Sequence, residues 1–328
     1  MQWNRRYVVK SYVRNSLWLM PFFAVVLYWV VSSITLRIDG WLLQTGQIDS
    51  KTAFLGLTMV GARSALDTIV TLNLSFLVFT FGSLLIAIQV AGGQYTPRII
   101  ATTLLRDNAI RFTVGYFVFT LLFTVRTLTR MGGDIVHQFN TFIAIALGLL
   151  SVVVFLYLID YAARFLRPVS IVKRVGESGL AVIKSVYPES TRPSRSVKTF
   201  ARPVSPDRLV TNSGASGIVL AVDLDGLVAL ARNANGIIEF VPQVGDFVAA
   251  DEPLLRLYGG AGAIDDRQLR AAVALGSERT VDQDPTFAFR ILVDIAIKAL
   301  SPAINDPTTA VLAIDQLHRL LRRVGLRL

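Results

Sequence analysis

The chain contains 328 residues, 53% hydrophobic and 17% charged, and its mean hydropathy of +0.53 excludes an ordinary soluble domain of this length. Cysteine is absent and the two histidines, His137 and His318, are far apart, so the sequence predicts no disulfide, no metal site and no cofactor. The net charge of +10 does not indicate nucleic-acid binding, because most of it lies in one short window described below.

The chain begins with a short basic amphipathic segment, residues 1–15, which is followed by an apolar run. Residues 16–36 are 21 residues without a charge, enough to cross a hydrocarbon core. No A-x-A cleavage site follows this run, which argues against a secretory signal. We therefore predict a retained first span at about 16–36.

The second predicted span, at about 68–91, lies in an uncharged stretch between Asp67 and Arg98. The residues before it, 37–67, are predicted to form a loop of mixed charge that can include a short helix at about 52–66. Small and polar residues recur along one face of this span, and such a face either lines a water-filled path or packs against another helix. The pore-lining candidates are Asn73, Thr80, Ser83, Ala87 and Gln94.

A basic hinge follows the second span. The sequence GGQYTPR places glycines, a proline and Arg98 at the predicted membrane edge, and Arg106 and Arg111 follow. In an oligomer these three arginines would form a ring that favours anions at the cytoplasmic mouth of a pore.

Two further spans are predicted at about 111–129 and 138–160. The third contains Arg126, whose long side chain can reach the interface. Loop cations predict that both termini are cytoplasmic. The cytoplasmic side would carry Arg5, Arg6, Lys10, Arg14, Arg98, Arg106, Arg111, Arg164, Arg167, Lys173 and Arg174, and the other side only Arg37, Lys51, Arg63, Arg126 and Arg130.

The membrane domain, residues 1–168, is followed by a basic juxtamembrane helix and a proline-rich linker at 169–208. From Arg164 to Arg208 there are ten basic and three acidic residues, which supply +7 of the net +10. Anionic headgroups attract such clusters by about 1 kcal/mol per residue. We therefore expect the lipid bilayer, with anionic lipids near this segment, as a partner, and no nucleic acid.

Residues 209–328 are predicted to form a cytoplasmic α+β domain. Strand patterns at 217–222, 237–241 and 254–257, with a Gly245-Asp246 turn, indicate a small β-rich module. Beyond Leu209 there are eleven basic and fourteen acidic residues. This balance predicts a mildly acidic domain with no basic face.

A helical hairpin is predicted to end the chain. Asp284-Pro285 and Asp306-Pro307 each place an acceptor at the N-cap and a proline at the first helical position. Carboxylates could also bind a cation or another ligand, although caps and i,i+4 ion pairs explain them as well. The ligand candidates are Asp282, Asp284, Asp294, Asn305 and Asp306.

Three phrases carry a resemblance to a known family. GGQYTPRII, VDLDGLVALA with VGDFV, and DQDPTFAFRILVDIAIKALSPAINDPTTA resemble the DUF2254 family of predicted bacterial membrane proteins. The resemblance implies a polytopic protein of the bacterial inner membrane and supplies no established activity.

The predicted fold class is an α-helical polytopic membrane domain of four transmembrane helices, followed by a cytoplasmic α+β domain with a small β-rich module and a C-terminal helical hairpin. No phosphate loop, catalytic triad order or metal-ligand spacing is present, so no enzyme is expected. Two functions remain open. One is an oligomeric channel or transport-like protein, and the other is a membrane-anchored sensor or scaffold.

Overall fold

The computed structural model describes residues 2–16, 18–44, 58–96, 107–131, 137–187 and 205–327. The helices are α1 (Trp3–Asn15), α2 (Leu19–Gln44), α3 (Met59–Gln94), α4 (Asn108–Thr129), α5 (Gln138–Phe165), α6 (Pro168–Val186), α7 (Leu224–Asn233), α8 (Asp266–Ala271), α9 (Pro285–Ala299) and α10 (Pro307–Gly325). The strands are β1 (Arg208–Thr211), β2 (Gly217–Val222), β3 (Gly236–Phe240), β4 (Phe247–Val248), β5 (Pro253–Gly259) and β6 (Val273–Gly276).

Contacts divide the chain into two compact units. The helical unit comprises residues 16–93 and 104–167 and contains α2 to α5. The mixed unit comprises residues 1–15, 94–103 and 168–328 and contains α1, α6 to α10 and both sheets. Each unit is described by itself.

Four helices of the described chain, α2 to α5, are long and apolar enough to cross a membrane, which confirms the four predicted apolar helices. Two of them extend beyond their apolar runs. Helix α2 continues to Gln44 and α3 already begins at Met59, so residues 37–44 and 59–67 of the predicted loop are helical, and the second of these stretches overlaps the short helix predicted at about 52–66. Charged residues are compatible with helix beyond the hydrocarbon, where their side chains reach water.

Close backbone approach and aromatic packing hold the helical unit together. Gly115 of α4 lies against α2, since a Cβ there would be 3.4 Å from the Met20 carbonyl oxygen. The Tyr116 hydroxyl donates to the Leu147 carbonyl of α5 at 2.7 Å. The rings of Phe76 and Phe155 stack with centroids 4.1 Å apart and join α3 to α5.

The mixed unit contains two antiparallel three-stranded sheets. Their strand orders are β1-β5-β3 and β4-β2-β6. Apolar residues of β5 and β2 face a common core to which α7 and α8 contribute Leu227 and Leu269. Fully buried members of this core include Val210, Leu255, Leu257 and Leu269.

Helix α1 covers one face of the second sheet. Trp3 and Tyr7 pack against Leu220, Ala221 and Ala274, and the Trp3 and Tyr7 rings stack at 5.4 Å. The basic amphipathic start of the chain therefore belongs to the mixed unit and fills part of its core.

Helices α6, α9 and α10 form a three-helix layer, and a glycine sets their spacing. A Cβ at Gly179 of α6 would lie 2.8 Å from the Ala288 Cβ of α9 and 3.1 Å from a Leu320 methyl group of α10. All three positions are buried. Only glycine lets the three helices approach this closely.

We expect Gly179→Leu to lower the free energy of unfolding by about 2 kcal/mol or more, because the added side chain overlaps two buried helices. The matched control is Gly325→Leu, at a helical position with nothing within 4 Å. The midpoint of thermal unfolding, followed by circular dichroism in detergent, measures both variants. Equal midpoints would contradict the close approach at Gly179.

Candidate functional site

The start of α9 is a buried polar junction. The Asp284 carboxylate accepts hydrogen bonds from the Phe287 N–H at 3.0 Å and from the Thr286 hydroxyl at 2.5 Å. It also pairs with the Arg279 guanidinium, which lies 5.3 Å from the Phe287 ring centroid. Asp284 is only 1% exposed, so this network satisfies a carboxylate that would be costly to bury alone.

The β-rich module contacts this junction through its turn. Gly245 has φ +98°, and a Cβ there would overlap both the Asp284 carboxylate and the Arg279 guanidinium. Next to it, the Val222 N–H of β2 donates to the Gln283 side chain at 2.9 Å. The VGDFV and DQDP phrases therefore meet in space and join the module to the helical layer.

The start of α10 forms a second junction. Asp306 accepts from the Thr309 N–H at 3.0 Å and from the Thr309 hydroxyl. Hydrogen bonds from the Thr309 hydroxyl and backbone lower the pKa of Asp306. The stability that Asp306 contributes is therefore fully present above its ordinary pKa and is lost as the pH falls through the lowered value.

Tyr95, from the GGQYTPR phrase, lies near this second junction. Its side chain is 5% exposed. Burial raises its pKa, and the nearby Asp306 carboxylate raises it further. A neutral phenol beside a carboxylate is thus favoured over a pair of like charges.

The predicted ligand residues lie at three separate places. Asp282 and Asp284 are at the start of α9, while Asn305 and Asp306 lie beyond its end, about 20 Å away along the helix. Asp294 lies between them and pairs with Arg290 at 3.1 Å. Among the described residues no group of three or more His, Asp or Glu could hold a metal ion.

The predicted pore-lining stripe of α3 is mostly covered by helices of the same chain. Asn73, Thr80 and Ala87 are buried, Ser83 is half-buried and Gln94 is exposed. The Ser151 hydroxyl of α5 donates to the Asn73 side chain at 2.9 Å. These contacts are typical of a helix-packing seam, and the pore-lining role stays a prediction.

Of the three arginines of the predicted cytoplasmic mouth, only Arg111 lies among the described residues. Arg98 and Arg106 lie outside the described residues. Arg111 is in the first turn of α4 and is 5% exposed. That turn is capped by Asp107, which accepts from the Ala109 N–H at 3.0 Å and from the Tyr161 hydroxyl of α5.

A polar cluster in the helical unit was missed by sequence reasoning. Asp39 of α2, 1% exposed, lies 2.9 Å from the His137 ring and accepts from the Phe139 N–H and the Asn140 side chain at 3.3 Å. Asp39 therefore helps to cap α5. A histidine and two amides just before an apolar run were a weak signal for it, but the carboxylate lies 100 residues away in sequence.

Comparisons with known proteins agree with the architecture. Residues 14–327 match the family described as "Predicted membrane protein (DUF2254)". Uncharacterised proteins of Mycobacterium bovis and Mycobacterium tuberculosis are each 28% identical over 325 residues, covering 96% of this chain. The chain spans 61% of the length of these relatives. No solved structure matches the chain.

We expect Gly245→Ala to lower the free energy of unfolding by about 2 kcal/mol or more, since it adds a left-handed backbone cost to the overlap at Asp284. Gly262→Ala is the control, because its Cβ would meet only one atom, at 3.9 Å. Chemical denaturation of the detergent-solubilised chain measures the difference. An unchanged Gly245→Ala midpoint would show that the turn does not contact Asp284.

We expect Asp306→Asn to lower the pKa of Tyr95 while leaving it above its ordinary value, because burial is the larger cause of the shift. Ultraviolet titration of the wild-type chain against Tyr95→Phe isolates this tyrosine. Asp294→Asn serves as the control, since that carboxylate pairs with Arg290 on α9. An equal effect of the two asparagine variants would refute a specific Tyr95–Asp306 interaction.

Proposed function

The chain belongs to the DUF2254 family of predicted membrane proteins, and from this premise we propose that it is a membrane-anchored sensor or scaffold of the bacterial inner membrane. In this proposal α2 to α5 cross the bilayer. The mixed unit lies in the cytoplasm and binds a ligand or a partner protein, and helix α3 connects its state to the membrane.

The observation that carries the proposal is that separate segments of the chain pack together in the mixed unit. It is built from three chain segments, residues 1–15, 94–103 and 168–328. Two apolar helices separate each segment from the next. Segments that pack into one compact unit must occupy the same compartment, so each pair of helices would cross the bilayer and return.

Charge supports the cytoplasmic side for this unit. The described segments of the mixed unit contain Arg5, Arg6 and Lys10 in α1 and Lys173 and Arg174 in α6. An excess of cations close to spans is retained on the cytoplasmic side. Both termini of the chain would then be cytoplasmic.

The second junction supports a sensor. Tyr95 directly follows the last residue of α3 and interacts electrostatically with Asp306, which caps α10. A change at the start of α10 therefore acts on a residue covalently joined to a 36-residue helix. This connection would carry information between a bound ligand and the membrane.

An oligomeric channel or transport-like protein is the alternative that the sequence favoured. Asn73, Thr80 and Ala87 contact helices of their own chain, so a path would have to follow surfaces that face outward from one copy. A homo-oligomer would then be required, since the described helices of one chain use this polar stripe internally.

Hydrogen exchange in lipid nanodiscs tests the sensor. We expect Tyr95→Ala to reduce protection at residues 307–311, because it removes a buried side chain that interacts with Asp306, the N-cap residue of α10. Leu85→Ala is the control, since Leu85 is 63% exposed on α3, the helix that Tyr95 follows. Equal protection at 307–311 in the two variants would contradict coupling through Tyr95.

Conductance measured across a planar lipid bilayer distinguishes the two proposed functions. We expect the purified protein to give no conductance. Conductance whose ion preference changes with Arg98→Glu or Arg106→Glu would instead favour the channel.

A further inference from the structure

A groove of about 440 Å³ lies between α6 and the second half of α10, within the mixed unit. Two leucines supply its apolar part, and the other lining residues are polar or charged. Its lining consists of Leu180, Lys184, Asp315, His318, Arg319, Arg322, Arg323 and Leu326.

This groove corrects the prediction that no basic face exists beyond Leu209. Beyond Leu209 its lining contains three arginines and one carboxylate, and Lys184 of α6 adds a fourth cation. Glu177 neutralises Arg319, whose Nη1 lies 2.7 Å from the Glu177 carboxylate. Lys184, Arg322 and Arg323 then outnumber Asp315, the carboxylate of the lining, so the groove keeps an excess of positive charge. A count over the whole domain hid this local excess.

The side chain of Arg323 gives a second observation. Arg323 is half-buried, and its Nε is buried and has no hydrogen-bond partner among the described residues. A buried N–H donor without an acceptor is costly. Cations near a helix C-terminus interact with the helix dipole, but this interaction does not supply an acceptor for a buried N–H.

The field around the groove also acts on its neighbour Glu177. A hydrogen bond from Arg319 lowers the pKa of Glu177, and the charges of Arg319, Lys173 and Lys184 lower it further. The carboxylate therefore stays ionised, so it holds Arg319 while the other cations remain available to a ligand.

We propose that this groove binds a phosphate group. Arginine presents N–H donors in a planar fork that matches phosphate oxygens, and Lys184 adds a compact charge from the opposite helix. Leu180 and Leu326 provide apolar surface for the part of the ligand next to the phosphate. The same chemistry fits a phospholipid headgroup or a soluble phosphate compound.

The inference rests on the proposed function, because it names the ligand class of the sensor unit. The proposed function and the phosphate-binding inference can be refuted independently. Loss of phosphate binding leaves the coupling through Tyr95 intact, whereas loss of coupling leaves the groove able to bind.

Two probes distinguish the sources of phosphate. The full chain in uncharged maltoside detergent is titrated calorimetrically with inorganic phosphate at constant ionic strength. In parallel, short-chain phosphatidylglycerol and phosphatidylcholine are added, and native mass spectrometry measures the lipid retained. Saturable binding of inorganic phosphate identifies a soluble ligand. Preferential retention of phosphatidylglycerol without phosphate binding identifies an anionic headgroup.

Matched variants locate the binding. We expect the double variant Arg322→Gln/Arg323→Gln to weaken binding of the active probe about tenfold or more. Lys184→Gln, on the other helix, should weaken it independently. The control is Arg232→Gln/Arg267→Gln, which removes two exposed cations of the same unit outside the groove. Circular dichroism verifies that each variant is folded.

Two results would overturn the inference. One is that the wild-type chain binds neither inorganic phosphate nor phosphatidylglycerol. The other is that the groove variants and the control pair weaken binding equally, since binding would then depend on overall charge alone.

Discussion

Both units depend on hydrogen bonds that aspartate side chains accept at the starts of helices. The first N–H groups of a helix have no partner within the helix, and a carboxylate that accepts from them also favours the positive end of the helix dipole. In this chain three of these carboxylates are also close to a residue from another segment of the chain. Asp107 meets Tyr161, Asp284 meets Arg279 and the Gly245 turn, and Asp306 lies near Tyr95.

How much of this could be read from sequence depends on the distance between partners. Asp284-Pro285 and Asp306-Pro307 predicted two caps because the signal lies within one turn of helix, and both caps are present. The cap that Asp39 provides for α5 could not be predicted, because its partners are about 100 residues away. The packing of α1 on the second sheet could not be predicted for the same reason. An amphipathic pattern indicates that one face of a helix is covered, but not which surface covers it.

Composition and periodicity alone could not predict two further features of the structure. Small and polar residues on α3 predicted either a path or a seam, and the periodicity is identical in both cases. The choice depends on which helix lies opposite, and here Gly148 and Ser151 of α5 approach Ile69 and Asn73. Likewise, eleven basic and fourteen acidic residues describe a domain's total charge, but not that α10 places several of its arginines beside α6.

Helix α10 connects the features of the mixed unit. Its first turn is capped by the carboxylate near Tyr95, its middle packs on Gly176 and Gly179 of α6, and its last turns line the basic groove. Its 19 residues span about 28 Å as one rigid element. A ligand in the groove could affect Tyr95 only if it bound more tightly to one position of α10 than to another, because coupling equals that difference in affinity. The tight glycine contacts with α6 limit such movement to small shifts, so any signal would pass as a change in helix position and not as unfolding of the hairpin.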